Sequence, residues 1–154
     1  MTKVLFVCLG NICRSPMAQG IFESLLKAHP QSNITCDSAG TASYHIGKSP
    51  DPRTPHVLEK HHITTSQKAR QLVAHDFESF DYILVMDKEN LYNARALSKS
   101  VKHPKAKVQL VLDYGNTAVE EVPDPYYGQK DGFEYVYTLL DEALRNFLTQ
   151  ITHE

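Results

Sequence analysis

Short continuous apolar runs take turns along this chain with stretches in which apolar residues recur every three or four positions. Residues 3–7 (KVLFV) form the first run and predict a buried strand. Met17, Ile21, Leu25 and Ala28 follow at helical spacing. Ser15-Pro16 reads as the N-cap and first position of that helix, and His29-Pro30 ends it. Residues 34–37 predict a second strand, closed by Ser38-Ala39-Gly40. Asp51-Pro52 looks like another cap and first turn, before a helix carrying Val57 and Leu58 and ending at His61-His62. Residues 82–86 (YILVM) are the most strand-like run, and Leu91, Ala94, Leu97 and Val101 mark the helix after it. Residues 108–112 (VQLVL) predict the last strand, and residues 113–132, without periodicity, a long loop. Phe133, Val136, Tyr137, Leu140, Leu144, Phe147, Leu148 and Ile151 make a strong final helical face.

Strands that alternate with helices and are apolar on both faces imply an α/β fold: a four-stranded, twisted parallel sheet with helices on both faces. No repeat or linker interrupts the pattern, so residues 1–154 read as one domain. Sites in such sheets form beyond the carboxyl ends of the strands, in loops that run into helices.

Composition narrows the function classes. Sixteen basic and 18 acidic residues leave a net charge of −2, with no footprint for nucleic acid. Lys99, Lys102, Lys105 and Lys107 form a local basic stretch, read as a solvated helix end and loop. The first apolar run is shorter than a signal-peptide core, and no segment approaches the ~20 apolar residues of a membrane helix. Three cysteines, an odd number, fit a reducing compartment better than a disulfide framework. The expectation is a soluble, cytoplasmic protein.

Candidate chemistry is concentrated in residues 7–16 (VCLGNICRSP), between the first strand and the first helix. Cys8 and Arg14 are separated by five residues, enough chain to fold into a ring of backbone N–H groups. Gly10 allows close approach of the backbone, and Asn11 tolerates the left-handed conformation such a nest requires. The loop ends at a helix N-terminus, which favours an anion, and Arg14 adds a fork that matches phosphoryl oxygens. Surroundings that bind phosphate also favour a thiolate at Cys8. A thiolate aimed at phosphorus can form a phosphocysteine that water then hydrolyses, with no cofactor or metal required. Zinc fits poorly, because Cys8 and Cys13 lack a second ligand pair.

The stretch VCLGNICRSP resembles the phosphate-binding loop of the low-molecular-weight protein tyrosine phosphatases. DSAG (37–40), GKSPDPR (47–53), KARQ (68–71), FDYILVMD (80–87) and PDPYYG (123–128) resemble further segments of that family, in the family's order. The resemblance implies Cys8 as nucleophile, Arg14 as the phosphate-binding arginine, and Leu9, Gly10, Asn11, Ile12 and Cys13 as the loop around the anion. It implies Asp124, between two prolines, as general acid and then base. Ser15 would steady the sulfur, while Asn11 and Ser38 are expected to bond to each other and hold the loop. Tyr44, Tyr126 and Tyr127 would wall the pocket, with apolar contact from Leu9 and Ile12. Cys13 would guard an oxidised Cys8 through a disulfide. Asp51 is given a capping role and Asp87 a structural one at the end of the third strand. Gln67 stands where many members carry histidine; it can hydrogen-bond but cannot titrate.

The implied partners are phosphotyrosine proteins, a tyrosine autokinase among them, with phosphate-like anions as ligands. Three alternatives compete. An arsenate reductase on this fold needs further cysteines, and only Cys36 lies beyond the loop. A phosphoarginine phosphatase of the family tends to carry threonine where Ile12 stands and lacks the aromatic pair. A silent phosphoprotein-binding module would have no need of Cys8, Arg14 and Asp124 together.

Overall fold

The computed structural model describes residues 1–126, 128 and 130–153. Its strands are β1 (Thr2–Cys8), β2 (Ile34–Gly40), β3 (Tyr82–Val85) and β4 (Lys107–Leu110). All pair in parallel, in the order β2-β1-β3-β4. Its helices are α1 (Arg14–Lys27), α2 (Arg53–Lys60), α3 (Asp76–Ser79), α4 (Lys88–Ser98) and α5 (Lys130–Thr152).

The two-residue period of β1 decides which helices cover which face. Val4, Phe6 and Cys8 join a core with residues of α1, α2 and α5. Leu5 and Val7 point the other way, into a core completed by Phe77 of α3 and Ala94 of α4. On the first face Phe6 meets Phe22 edge-on at 5.6 Å, and Phe22 meets Phe147 at 5.7 Å. These rings tie the sheet to α1 and α5, so Phe22→Ala would cost about 3–5 kcal/mol.

β1 lies between β2 and β3, so the chain leaves it first to one side and then returns to the other. That reversal opens a crevice beyond the carboxyl ends of β1 and β3, the position the sheet rule indicates. The loop at residues 9–13 sits there, and Val122 reaches the same edge by donating its N–H to Met86 O at 2.8 Å.

Several boundaries differ from the sequence reading. Ser15 is not the N-cap: Cys13 holds that position without a side-chain cap bond, and Pro16 is the third helical residue. The first turn thus contains Arg14 and Ser15, whose side chains are turned to the loop. Likewise Pro52, not Asp51, is the N-cap of α2, though Asp51 Oδ1 accepts the Arg53 N–H at 3.0 Å. The last strand stops at Leu110, and Val111–Tyr114 tightens into a 3₁₀ turn. The short helix α3 had no periodicity long enough to announce it.

Candidate active site

The loop after β1 turns its carbonyls outward. Thr41 N–H donates to Cys8 O and Ala42 N–H to Leu9 O, both at 2.9 Å, and Asp51 N–H donates to Ile12 O at 2.8 Å. Gln67 Nε2 reaches Asn11 O at 3.4 Å, and Thr54 Oγ1 donates to Cys13 O at 3.2 Å. In a trans peptide the C=O and the following N–H point in opposite directions. Each outward carbonyl therefore aims the next N–H inward. Among the described residues, no hydrogen bond engages the N–H groups of Leu9, Gly10, Ile12, Cys13 or Arg14. The inward set is the anion nest expected of this stretch.

Asn11 makes the ring possible. Its φ is 58°, the left-handed conformation that asparagine tolerates, and it is fully buried. Its Oδ1 accepts Arg70 N–H at 2.9 Å and Gln67 Nε2 at 2.8 Å, while its Nδ2 donates to Ser15 Oγ at 2.7 Å. Ser38 is not its partner, which corrects the sequence reading. The Ser38 hydroxyl, buried on β2, donates instead to Gln19 Oε1 at 2.6 Å and so braces α1. Gly40, two residues on, permits close packing: a Cβ there would lie 2.7 Å from Leu9 O and 3.0 Å from Asn11 N.

Cys8 Sγ sits at the base of the ring. Asn11 N–H donates to it at 3.3 Å, and Ser15 Oγ lies 3.0 Å away. Arg14 is almost fully buried, with Nη1 donating to Asp87 Oδ2 at 2.7 Å and to Val122 O at 2.9 Å. Those bonds fix the plane of the guanidinium and leave Nε and Nη2, among the described residues, without a hydrogen bond and able to meet a ligand, with Nη2 paired only loosely with Asp124 at 3.7 Å. Burial opposes the charge of Arg14. Cys8, the Asp87 hydrogen bond and the charges of Asp87 and Asp124 outweigh it and push the pKa above its ordinary value. Asp87 therefore does two jobs, since its Oδ1 also caps α4 by accepting Asn90 N–H at 2.8 Å. Asp124, more than a third exposed, faces the same arginine across 3.7 Å, and its Oδ1 accepts Tyr126 N–H at 3.0 Å.

A cleft of ≈ 100 Å³ stands over the loop, lined by Cys8, Leu9, Gly10, Ile12, Cys13, Arg14, Tyr44, His45, Asp124 and Tyr126. That volume suits a single phosphoryl head, well below the several hundred Å³ of a pocket that encloses a whole ligand.

The sequence matches the family model for low molecular weight phosphotyrosine protein phosphatase over residues 3–154. A low molecular weight phosphotyrosine protein phosphatase of Schizosaccharomyces pombe is 46% identical, across 98% of this chain and 99% of that one. The fold superposes with a TM-score of 0.91 on a protein tyrosine phosphatase from Entamoeba histolytica crystallised with Hepes in its active site. That protein is 36% identical, and the match covers 99% of this chain and 98% of the other. A Drosophila arginine phosphatase superposes with a TM-score of 0.94 at 35% identity, across 97% and 98% of the two chains. The chain belongs to the low molecular weight phosphotyrosine protein phosphatase family.

Against that family background, the structure brings together Cys8, Arg14, Asp124, Ser15, Asn11, Tyr44 and Tyr126, as the sequence reading proposed. Tyr44 is 70% exposed and Tyr126 37% exposed, so both stand on the rim rather than in the core. Tyr127 lies outside the described residues. Gln67 takes a place in the support of Asn11 through a hydrogen bond that needs no titrating group. Cys13 is buried, and burial first, then the charges of Asp51, Cys8 and Asp124, pushes its thiol pKa far up. Sequence reasoning missed His45, whose ring fills the wall between Tyr44 and Tyr126 at centroid distances of 6.3 and 6.4 Å. A Cβ on Gly10 would lie 2.9 Å from that ring, so the glycine makes room for His45. It also missed Arg70, whose guanidinium bonds Asp37 at 3.1 Å and Asp76 at 3.0 Å and so fixes the backbone that holds Asn11.

Proposed function

We propose that the protein is a phosphotyrosine phosphatase working through a phosphocysteine. The observation that carries this reading is the ring of outward carbonyls around Cys8, with Arg14 and Asp124 on the same cleft. A phosphoryl group in the ring accepts hydrogen bonds from the inward N–H groups and from the free side of Arg14. These donors are fixed before reaction, so they stabilise the charge of the transition state without reorganising. The Cys8 thiolate attacks phosphorus as the bond to the phenolic oxygen breaks, and the Asp124 carboxyl delivers its proton to that oxygen. Asp124, now a carboxylate, takes a proton from water. The resulting hydroxyl attacks the phosphocysteine, and Cys8 leaves as thiolate with inorganic phosphate as product.

The small cleft admits the phosphoryl head, and the rim of Tyr44, His45 and Tyr126 offers faces for an aromatic ring. This supports phosphotyrosine proteins as partners; a tyrosine autokinase is the one the family resemblance adds. Three free cysteines support a cytoplasmic setting. Cys13 lines the same cleft as Cys8 and is assigned the redox guard. The second reading, phosphoarginine hydrolysis, is favoured by the likeness to the Drosophila arginine phosphatase, while Ile12 and the tyrosine rim favour phosphotyrosine.

Hydrolysis of an aryl phosphate with chelator present tests the reaction, and paired phosphotyrosine and phosphoarginine peptides test the substrate. Preference for phosphotyrosine by at least tenfold in kcat/KM is expected. Preference for phosphoarginine would move the assignment to the second reading.

A further inference from the structure

We propose that Arg53 is a positioning residue for the general acid, an inference that rests on the phosphatase reading and assigns one more part of its machinery. Arg53 opens α2 and lies between the two loops that form the site. On one side its Nε and Nη2 fork onto Asp51 at 3.0 and 2.9 Å, and Asp51 N–H holds Ile12 O of the phosphate loop at 2.8 Å. On the other side Nη2 donates to Tyr126 O at 2.9 Å and Nη1 to Gly128 O at 3.2 Å. The guanidinium also lies over the Phe133 ring at 4.4 Å and 5.8 Å from the Tyr126 ring.

The consequence concerns Asp124. Its Oδ1 accepts the N–H of Tyr126, the residue whose carbonyl Arg53 holds. One planar cation thus connects Ile12, Asp51, Tyr126 and Asp124 in a single chain of bonds. Its fork is matched to Asp51, and lysine could not keep all of these contacts at once. The carboxyl of Asp124 is exposed and meets Arg14 only at 3.7 Å, so the loop contacts made by Arg53 decide where it points. Arg53 does not touch the reacting atoms. It sets the angle from which the proton arrives.

The test is the dependence of kcat/KM on leaving-group basicity, measured over aryl phosphates from 2,4-dinitrophenyl to phenyl. A good leaving group needs no proton, and a poor one does. Arg53→Ala should lose about tenfold or more on phenyl phosphate and less than about threefold on the dinitrophenyl ester, steepening the slope toward that of Asp124→Ala. In an Asp124→Ala background, Arg53→Ala should leave the slope unchanged. Arg53→Lys should fall between wild type and Arg53→Ala, and it carries the comparison if the alanine variant fails to fold. Equal losses at every leaving group, or a further steepening in the Asp124→Ala background, would overturn the proposal. A wild type inert toward every ester would instead refute the phosphatase reading itself.

Discussion

The hydroxyl oxygen of Ser15 lies 3.0 Å from the sulfur of Cys8, and the direction of that contact follows from its neighbours. The backbone N–H of Arg70 can only donate, so it fixes Oδ1 of Asn11 on its side and turns Nδ2 toward Ser15. Ser15 Oγ accepts that bond, and once Cys8 is a thiolate, which can only accept, the Ser15 proton goes to the sulfur at 3.0 Å rather than to the more distant Ala39 O at 3.4 Å.

A hydroxyl that donates to the sulfur stabilises it most when it leaves phosphorus as a thiolate. Ser15→Ala should therefore slow hydrolysis of the phosphoenzyme by about tenfold or more, the scale of a hydrogen bond to a charged group. Rapid-quench kinetics should show a larger burst in the variant, because the intermediate accumulates. An unchanged burst with slower first-step chemistry would contradict this direction.

Asn11 stands on three hydrogen bonds and a left-handed backbone. Asn11→Ala would leave the Arg70 N–H and the Gln67 amide without their acceptor and force alanine to positive φ. A loss of about 2–4 kcal/mol in urea unfolding is expected, with activity lost alongside.

Two glycines separate packing from backbone strain. Gly40→Ala pushes a methyl against the backbone of the phosphate loop, so turnover should fall by more than about tenfold. Gly47, at φ 83°, has open space around its missing Cβ. Gly47→Ala should cost about 1–2 kcal/mol of stability while leaving kcat/KM within about twofold.

Asp51 links pH to stability. The side-chain hydrogen bond from Arg53 lowers its pKa below the usual carboxylate value, against the opposing effect of burial. Between the folded and unfolded values the unfolded chain binds the extra proton, so stability rises with pH there. The contribution is complete only about a unit above the unfolded value of about 4 and is lost as pH falls from there through the folded pKa. Urea unfolding should show the gap between wild type and Asp51→Asn closing as pH falls from about 5 through the folded pKa. A gap independent of pH would contradict the ion pair.

The strands, the long helices and the phosphate loop were legible in the sequence because each rests on a local pattern. The apolar runs of β1 and β3 and the spacing of α5 belong to single segments, and Asn11 in VCLGNICRSP carries its own backbone preference. What escaped is non-local. Nothing near residue 11 says that its partners are Gln67 and Arg70 rather than Ser38, and nothing near residue 45 marks His45 as a wall. Ser15 looked like a cap because serine before proline usually is one. In the fold Cys13 takes the cap position, and the Ser15 oxygen keeps only the other role the family resemblance implied, facing the sulfur. Asp87 was read as structural, which it is at α4, but its second oxygen also orients Arg14.

The central claim is that phosphate passes through Cys8. Acid-quenched Asp124→Ala, mixed with an aryl phosphate and digested, should yield a phosphoryl group on the peptide that contains Cys8. Cys8→Ser should show no turnover. Label on any other residue, or full turnover by Cys8→Ser, would contradict the account.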